Sequence, residues 1–581
     1  MTLHPNKKIA GVLAPLFALR GANDPGIGDV GALREFLVWA RAAGFRMVQL
    51  LPVNETGGDH SPYNAISSVA LEPTTLELTP VALPDLAAEV FAKITAAMSL
   101  EALRAGPVNY PAMKELKTRL LEAAFANFTT TSRKSRDARV RRFQKFCREE
   151  AEWLEDYAMF RVLMEENGGT ERWDLWPREH RAPGSVERWL AALPIKHRRA
   201  FESRVRFRKY VQWIAWEQWR AVCKEAAHHG IALMGDIPFG VSFFSADVWA
   251  NPQLFDHEWC GGCPPERLLK VDEFTYKWGQ NWGIPLYRWA AHREGGFRWW
   301  RQRVRKVRDI FHLFRIDHIL GCFRIYGFPW RPDRNTEFLP LTEDEAKERA
   351  GGELPHFVEH ADDTPEHCAA NLAQGDELLR ALVAECGEFR LIGEDLGAVP
   401  EYVRPCLREL GIAGFKVPQW ETNGDGAMID GAKYEPLSLA TYATHDHPTL
   451  REMWETWMAP ITLAEHGGEE TWPARDAAWV EARRLAAWCG FEVPQITPFT
   501  DEIHEQIAHT IFASESWMAV LMITDVFATT QRFNVPGAVS DANWSERIAL
   551  PVAQWDADAT LAEKTQLVRK LIVETGRAGN S

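Results

Sequence analysis

Short apolar runs bounded by Gly, Pro or polar residues recur along the chain: Ile9 to Leu13, Met47 to Val53, Ile231 to Asp236, Leu313 to Asp317, Arg390 to Glu394, Gly414 to Pro418, Leu439 to Thr444 and Met518 to Thr524. Runs of this length without alternation predict strands buried on both faces. Most follow stretches with apolar residues at three- and four-residue spacing, at Val30 to Ala43, Arg204 to His229, Phe297 to Phe311, Leu378 to Cys386 and Ala477 to Cys489, which predict helices. The clearest puts Trp300, Val304, Val307, Ile310 and Phe311 on one stripe, with Arg and Lys on the other side. Strands alternating with helices imply parallel pairing and right-handed crossovers, and eight such units close as an α/β fold, the (β/α)8 TIM barrel. A doubly wound open sheet is the alternative.

Two spacings are too long for a bare barrel. Residues 55–200 are rich in helix formers and predict a mainly helical insertion after the second strand; residues 237–296 are rich in Gly, Pro and Trp, with little periodicity, and predict an insertion or lid after the third. Insertions after barrel strands cover the catalytic, C-terminal face. The whole chain, 1–581, reads as one catalytic barrel domain. A basic cluster from Arg133 to Lys145 reads as a solvated helix face.

A net charge of -14 opposes nucleic acid or an anionic membrane as the main partner, and a neutral substrate suits it better. The 25 Trp residues can build a large core, yet Trp also offers a flat apolar face for stacking under a sugar ring. Nine cysteines without framework spacing fit a reducing compartment; Cys260 and Cys263 form a lone C-x-x-C, read as a loop with two free thiols. Lys7 and Lys8 before Ile9 to Leu19 imitate a signal peptide, but Pro15 interrupts the run and no cleavage pattern follows. The expected location is cytoplasmic.

Asp317, Glu394 and Asp446 each close an apolar run, as does Asp236, so on a barrel all four stand at C-terminal strand ends around one mouth. Retaining glycoside chemistry needs a nucleophilic carboxylate and an acid/base carboxyl roughly 5 Å apart. Arg315 shares a strand face with Asp317 and would hold it ionised, the nucleophile's state. Glu394 follows Leu391, Ile392 and Gly393, an apolar approach that would raise its pKa as a proton donor requires. Asp395 and Asp247 read as solvated carboxylates or helix caps, and His318 and His445, taken alone, as structural histidines.

The segments Gly235-Asp-Ile-Pro-Phe239, Phe314-Arg-Ile-Asp-His318, Gly393-Glu-Asp-Leu-Gly397 and Thr444-His-Asp446 resemble the ordered signature of 4-α-glucanotransferases, also called amylomaltases or disproportionating enzymes, of the α-amylase clan. Ser61-Pro-Tyr-Asn64, Gly26 to Gly31, Gly411 to Val417 and the more specific run Gly279-Gln-Asn-Trp-Gly-Ile-Pro-Leu-Tyr287 agree, so the resemblance extends from about Gly11 to Trp544. It implies that Asp317 is the nucleophile, Glu394 the general acid/base and Asp446 the third carboxylate, which binds ring hydroxyls of the donor. It further implies that Tyr63 stacks on the donor glucose, that Arg315, His445 and Asp236 support the site, and that Trp282 lines the sugar groove.

The implied partners are maltooligosaccharides and starch- or glycogen-derived α-1,4-glucans, with glucose as an acceptor; no metal or organic cofactor is required. Three departures stand out: His447-Pro448-Thr449 where many members carry Asn-Asp-Thr, Pro264-Pro265-Glu266 with a longer run from Arg267 to Trp278, and Ala18 for a common Ser. The chain is expected to start at the barrel without a preceding carbohydrate-binding domain. A hydrolase of the same clan and a catalytically silent glucan-binding protein are the rival readings.

Overall fold

The computed structural model describes residues 3–131, 138–265, 272–465, 467–536 and 540–578. Eight strands close a parallel barrel: β1 (Ile9–Leu13), β2 (Met47–Gln49), β3 (Ala232–Pro238), β4 (Leu313–Asp317), β5 (Leu391–Gly393), β6 (Ala413–Lys416), β7 (Ser438–Thr441) and β8 (Met518–Met522). They pair in sequence order, and β8 returns to β1 with Ile9 opposite Met518. Every residue of β1, β3 and β8 is buried, which is why these strands read as unbroken apolar runs. The TIM barrel is thus the observed fold.

The helices that return the chain pack as the stripes predict. In the helix Arg298–Arg308, Trp300 and Val304 face the core, and Ile310 and Phe311, just past its end, continue the stripe. The ring of Phe311 lies so close to β3 that a Cβ on Gly235 would sit 2.4 Å from its Cδ2. Only glycine allows this helix and strand to meet one residue before Asp236.

Between β2 and β3 the chain forms a run of helices ending in the 34-residue helix Ile195–His228. Part of the basic cluster, Arg133 to Arg136 and its neighbours through Asp137, lies outside the described residues. Beyond β3 the expectation of an irregular lid changes. Phe255–Cys263 and Gln280–Tyr287 are antiparallel strands, extended by Ile325–Phe328 and His356–Val358 into a four-stranded sheet outside the barrel. Register shifts at Gly261 and Gly262 break the alternation, and a Cβ on Gly262 would lie 1.9 Å from the Gln280 carbonyl oxygen. Periodicity was hidden by that irregular pairing. Cys260 and Cys263 therefore sit on a strand instead of a loop, with Cys260 buried beside Trp278, Phe328 and Trp330. Glu266 to Val271, which include the start of the long run before Gly279, lie outside the described residues.

No described helix is long and apolar enough to cross a membrane. Among the described residues, no group of three or more His, Cys, Asp or Glu side chains is placed to hold a metal ion.

Candidate active site

Arg315 is the hub. It stands on β4 directly opposite Asp236 on β3, and its Nη1 donates to Asp236 Oδ2 at 2.6 Å. Its Nη2 donates to Asp317 Oδ1 at 2.6 Å and lies 4.0 Å from Glu394 Oε2. Burial opposes the guanidinium charge, but Asp236 and Asp317 outweigh it and hold the Arg315 pKa well above its ordinary value. One guanidinium nitrogen, Arg315 Nη2, thus lies within 4.0 Å of a carboxylate oxygen of both Asp317 and Glu394.

Glu394 follows β5. A Cβ on Gly393 would be 2.7 Å from Ile319 Cδ1, so this glycine lets the turn after β4 pack against the strand. His318 in that turn takes the left-handed conformation, φ 48°, and its backbone N–H donates to Glu394 Oε2 at 2.7 Å. Leu396 N–H donates to Oε1 at 3.1 Å. Burial pushes the Glu394 carboxyl up to about 7; the Arg315 charge opposes this and the Asp317 charge adds to it. The site thus holds two neighbouring carboxyl groups, one on a guanidinium and the other tuned to give up a proton near neutrality.

Asp446 is placed differently from expectation. β7 ends at Thr441, where the hydroxyl donates to the Ala443 carbonyl at 2.8 Å and the chain turns, so Asp446 sits in a loop five residues beyond the strand. It is held there by His445 Nε2 at 3.1 Å from Oδ2, by Asn534 Nδ2 donating to Oδ1 at 2.6 Å, and by Arg532 donating to its backbone carbonyl at 2.9 Å. Burial alone would raise its pKa, but His445 and Asn534 together hold the carboxyl well below the usual range. Asn534 and Arg532 lie after β8 and carried no sequence signal; only closure of the barrel brings them to β7.

Tyr63 donates its hydroxyl to Asp236 Oδ2 at 2.7 Å, and its ring stacks on His445 at 5.1 Å. Trp544 leans against both rings. Trp282, on the outer sheet and 39% exposed, meets the His318 ring edge-on at 4.8 Å. Trp420, 48% exposed and not singled out from the sequence, meets the His447 ring at 5.0 Å. The altered loop is ordered by His447 Nδ1, which pairs with the Thr444 hydroxyl at 2.8 Å, and by Thr449, which caps the helix Leu450–Ala464.

Two carboxylates read as solvated groups or helix caps are each held by partners from other segments. Asp395 is buried, accepts Phe415 N–H at 2.6 Å and pairs with Arg404 at 3.0 Å, tying β5 to β6. Asp247 accepts the backbone and hydroxyl of Ser68 and the Trp299 indole N–H, while Ser245 caps its helix. Each has a structural partner that is distant in sequence.

A family model described as 4-alpha-glucanotransferase matches residues 14–551. The chain belongs to the 4-alpha-glucanotransferase family. Among its relatives, the 4-alpha-glucanotransferase of Chlamydia caviae is 30% identical over 93% of this chain and 90% of its own length. That of Thermus thermophilus is 30% identical over 90% and 92%. The solved amylomaltase of Streptococcus agalactiae in complex with acarbose shares the fold, with a TM-score of 0.73 at 23% identity over 98% of this chain and all of that one. Family members with this barrel act on α-1,4-glucans, and the Arg315-centred cluster lies at its C-terminal mouth.

Proposed function

We propose that this 4-α-glucanotransferase works by double displacement with Asp317 as nucleophile and Glu394 as acid/base. Asp317 attacks the anomeric carbon of an α-1,4-glucan while Glu394 gives its proton to the departing glycosidic oxygen, leaving a glucosyl–Asp317 ester. Glu394, now ionised, then takes the proton of an acceptor 4-hydroxyl, which displaces Asp317 and restores both groups. Asp446, kept ionised, accepts hydroxyl groups of the donor ring and favours its distorted state. Tyr63 presents the ring face opposite His445 to the donor sugar, and Trp282 supports the chain at the mouth.

One observation carries this reading: a single guanidinium nitrogen lies within 4.0 Å of two carboxyl groups, of which Glu394 is tuned toward neutrality. The substrates are maltooligosaccharides and longer α-glucans of starch or glycogen, and glucose serves as an acceptor. The scattered cysteines suit work in the reducing cytoplasm. Incubation with maltotriose tests the proposal. Transfer yields glucose together with a ladder of longer oligosaccharides at constant reducing-end concentration; shorter sugars with rising reducing ends and no longer products would overturn it in favour of a hydrolase.

A further inference from the structure

Asp525 is a buried carboxyl group that the double displacement does not use. It lies in the short helix Ile523–Val526 directly after β8 and is 1% exposed. Among the described residues its side chain makes one hydrogen bond, in which Oδ1 accepts the Leu450 backbone N–H at 2.8 Å. Burial pushes the carboxyl up to about 7, and that N–H opposes the rise. A carboxyl held this deep on a single donor costs stability that an apolar side chain would not. Packing alone does not account for it.

Leu450 opens the helix Leu450–Ala464, where the first backbone N–H groups have no partner within the helix. Thr449 caps the helix locally by accepting the Glu452 N–H at 3.2 Å, whereas Asp525 takes the Leu450 N–H from another element. The backbone of Asp525 is itself fixed. His504, fully buried in the helix Asp501–Ala513, has Nε2 2.7 Å from the Asp525 carbonyl oxygen, and its Nδ1 has no partner. Burial pushes the His504 pKa down to about 4, so the ring is neutral at neutral pH and Nε2 carries the proton given to that carbonyl.

Only His447, Pro448 and Thr449 separate Leu450 from Asp446. Pro448 has its φ locked and restricts His447 before it, and Thr449 is fully buried, so few free torsions can absorb a shift at Leu450. Arg532 donates to the Asp446 carbonyl at 2.9 Å and lies 3.8 Å from Glu452. The segment after β8 thus grips this loop at the third carboxylate and again at its exit.

We propose that Asp525 is a positioning residue of the transfer reaction: by holding the Leu450 N–H it sets where the Asp446 carboxylate stands against the donor ring. The proposal rests on the role given to Asp446 above. Because Asp446 favours the distorted donor, loss of Asp525 reads in kcat and leaves KM nearly in place.

A double-mutant cycle of Asp525→Ala and Asp446→Asn tests it, with fluoride release from α-maltotriosyl fluoride as the assay and each variant checked by melting to be folded. Asp525→Ala should lower kcat by about 10- to 100-fold, as a misplaced group does, with KM within about twofold. Asp525→Asn, which keeps an oxygen for Leu450, should stay within about threefold of the parent. With Asp446 already replaced by Asn, Asp525→Ala should cost less than about threefold more. Should Asp525→Ala fail to fold, Asp525→Ser, whose oxygen is one bond too short to reach Leu450, takes its place. Equal losses in both backgrounds overturn the proposal, as does an unchanged kcat in folded Asp525→Ala or an Asp525→Asn as impaired as Asp525→Ala. A silent Asp446→Asn overturns the role given to Asp446 and the proposal with it, so the two failures are told apart.

Discussion

At the scale of single residues, the site is a division of contacts. Asp317 has a guanidinium nitrogen at 2.6 Å, while Glu394 has backbone N–H donors at 2.7 and 3.1 Å and Arg315 at 4.0 Å, and burial pushes the Glu394 carboxyl up. Asp317→Asn is expected to lower kcat by on the order of 10³-fold or more while maltooligosaccharide binding remains measurable by calorimetry; full turnover would remove Asp317 from its assigned role. The acid must be protonated when the donor binds, so kcat/KM should fall as pH rises through about 7. Glu394→Gln should lose that limb of the profile, and its donor cleavage should recover with a glycosyl fluoride, whose leaving group needs no proton. The same raised value affects folding. The stability associated with Glu394 is fully present below the ordinary carboxyl range near 4.3 and is lost as pH climbs through about 7, so replacing it with Gln should flatten the fall in melting temperature across that window. Arg315 and Glu394 could be assigned from the sequence because strand alternation and an apolar approach are local properties. Asn534 could not, because its partner Asp446 is 88 positions away.

At the scale of elements, glycines set how closely strands and helices approach the site. Gly235 admits the Phe311 ring next to Asp236, and Gly393 admits Ile319 next to Glu394. Gly235→Val is expected to cost about 1–3 kcal/mol from overpacking and to lower kcat by displacing Asp236 from Arg315. Phe311→Leu, which relieves the clash, should recover part of both losses in a double-mutant cycle followed by urea unfolding and maltotriose turnover. Simple addition of the two single effects would show that the contact does not set the strand's position. The barrel strands and their helices were legible because burial on both faces leaves unbroken apolar runs, and burial on one face leaves a helical stripe. The outer sheet was not legible: its strands are half-exposed, bulged at Gly261 and Gly262, and paired across β4, so no local window holds their pattern.

At the scale of the whole molecule, the barrel depends on the seam where β8 meets β1. Arg577, near the chain's end, is fully buried there, donating to the carbonyls of Ile9 and Trp517 at 3.2 Å and of Ser514 at 2.6 Å. Burial pushes its pKa down to about 10, which leaves it charged at neutral pH. Arg577→Ala should strand these carbonyls and destabilise the fold by about 2–5 kcal/mol, seen as a lower denaturation midpoint with the maltotriose product pattern unchanged; an unaltered midpoint would show that the seam holds without it. Closure also places the segments after β8 beside Asp446, which is why the third carboxylate's surroundings belong to the molecule and not to any one element. The sequence by itself determined the eight buried strands, the acids near their ends and the Arg315–Asp317 pairing, because each rests on a periodicity or spacing within a few residues. Only the tertiary structure decided that Asp446 stands in a loop held by Asn534 and Arg532, that Asp395 and Asp247 tie together segments apart in the chain, and that an outer sheet carries Trp282 to the mouth. Those arrangements are contacts between segments far apart in the chain, whose closing requires the barrel to exist first.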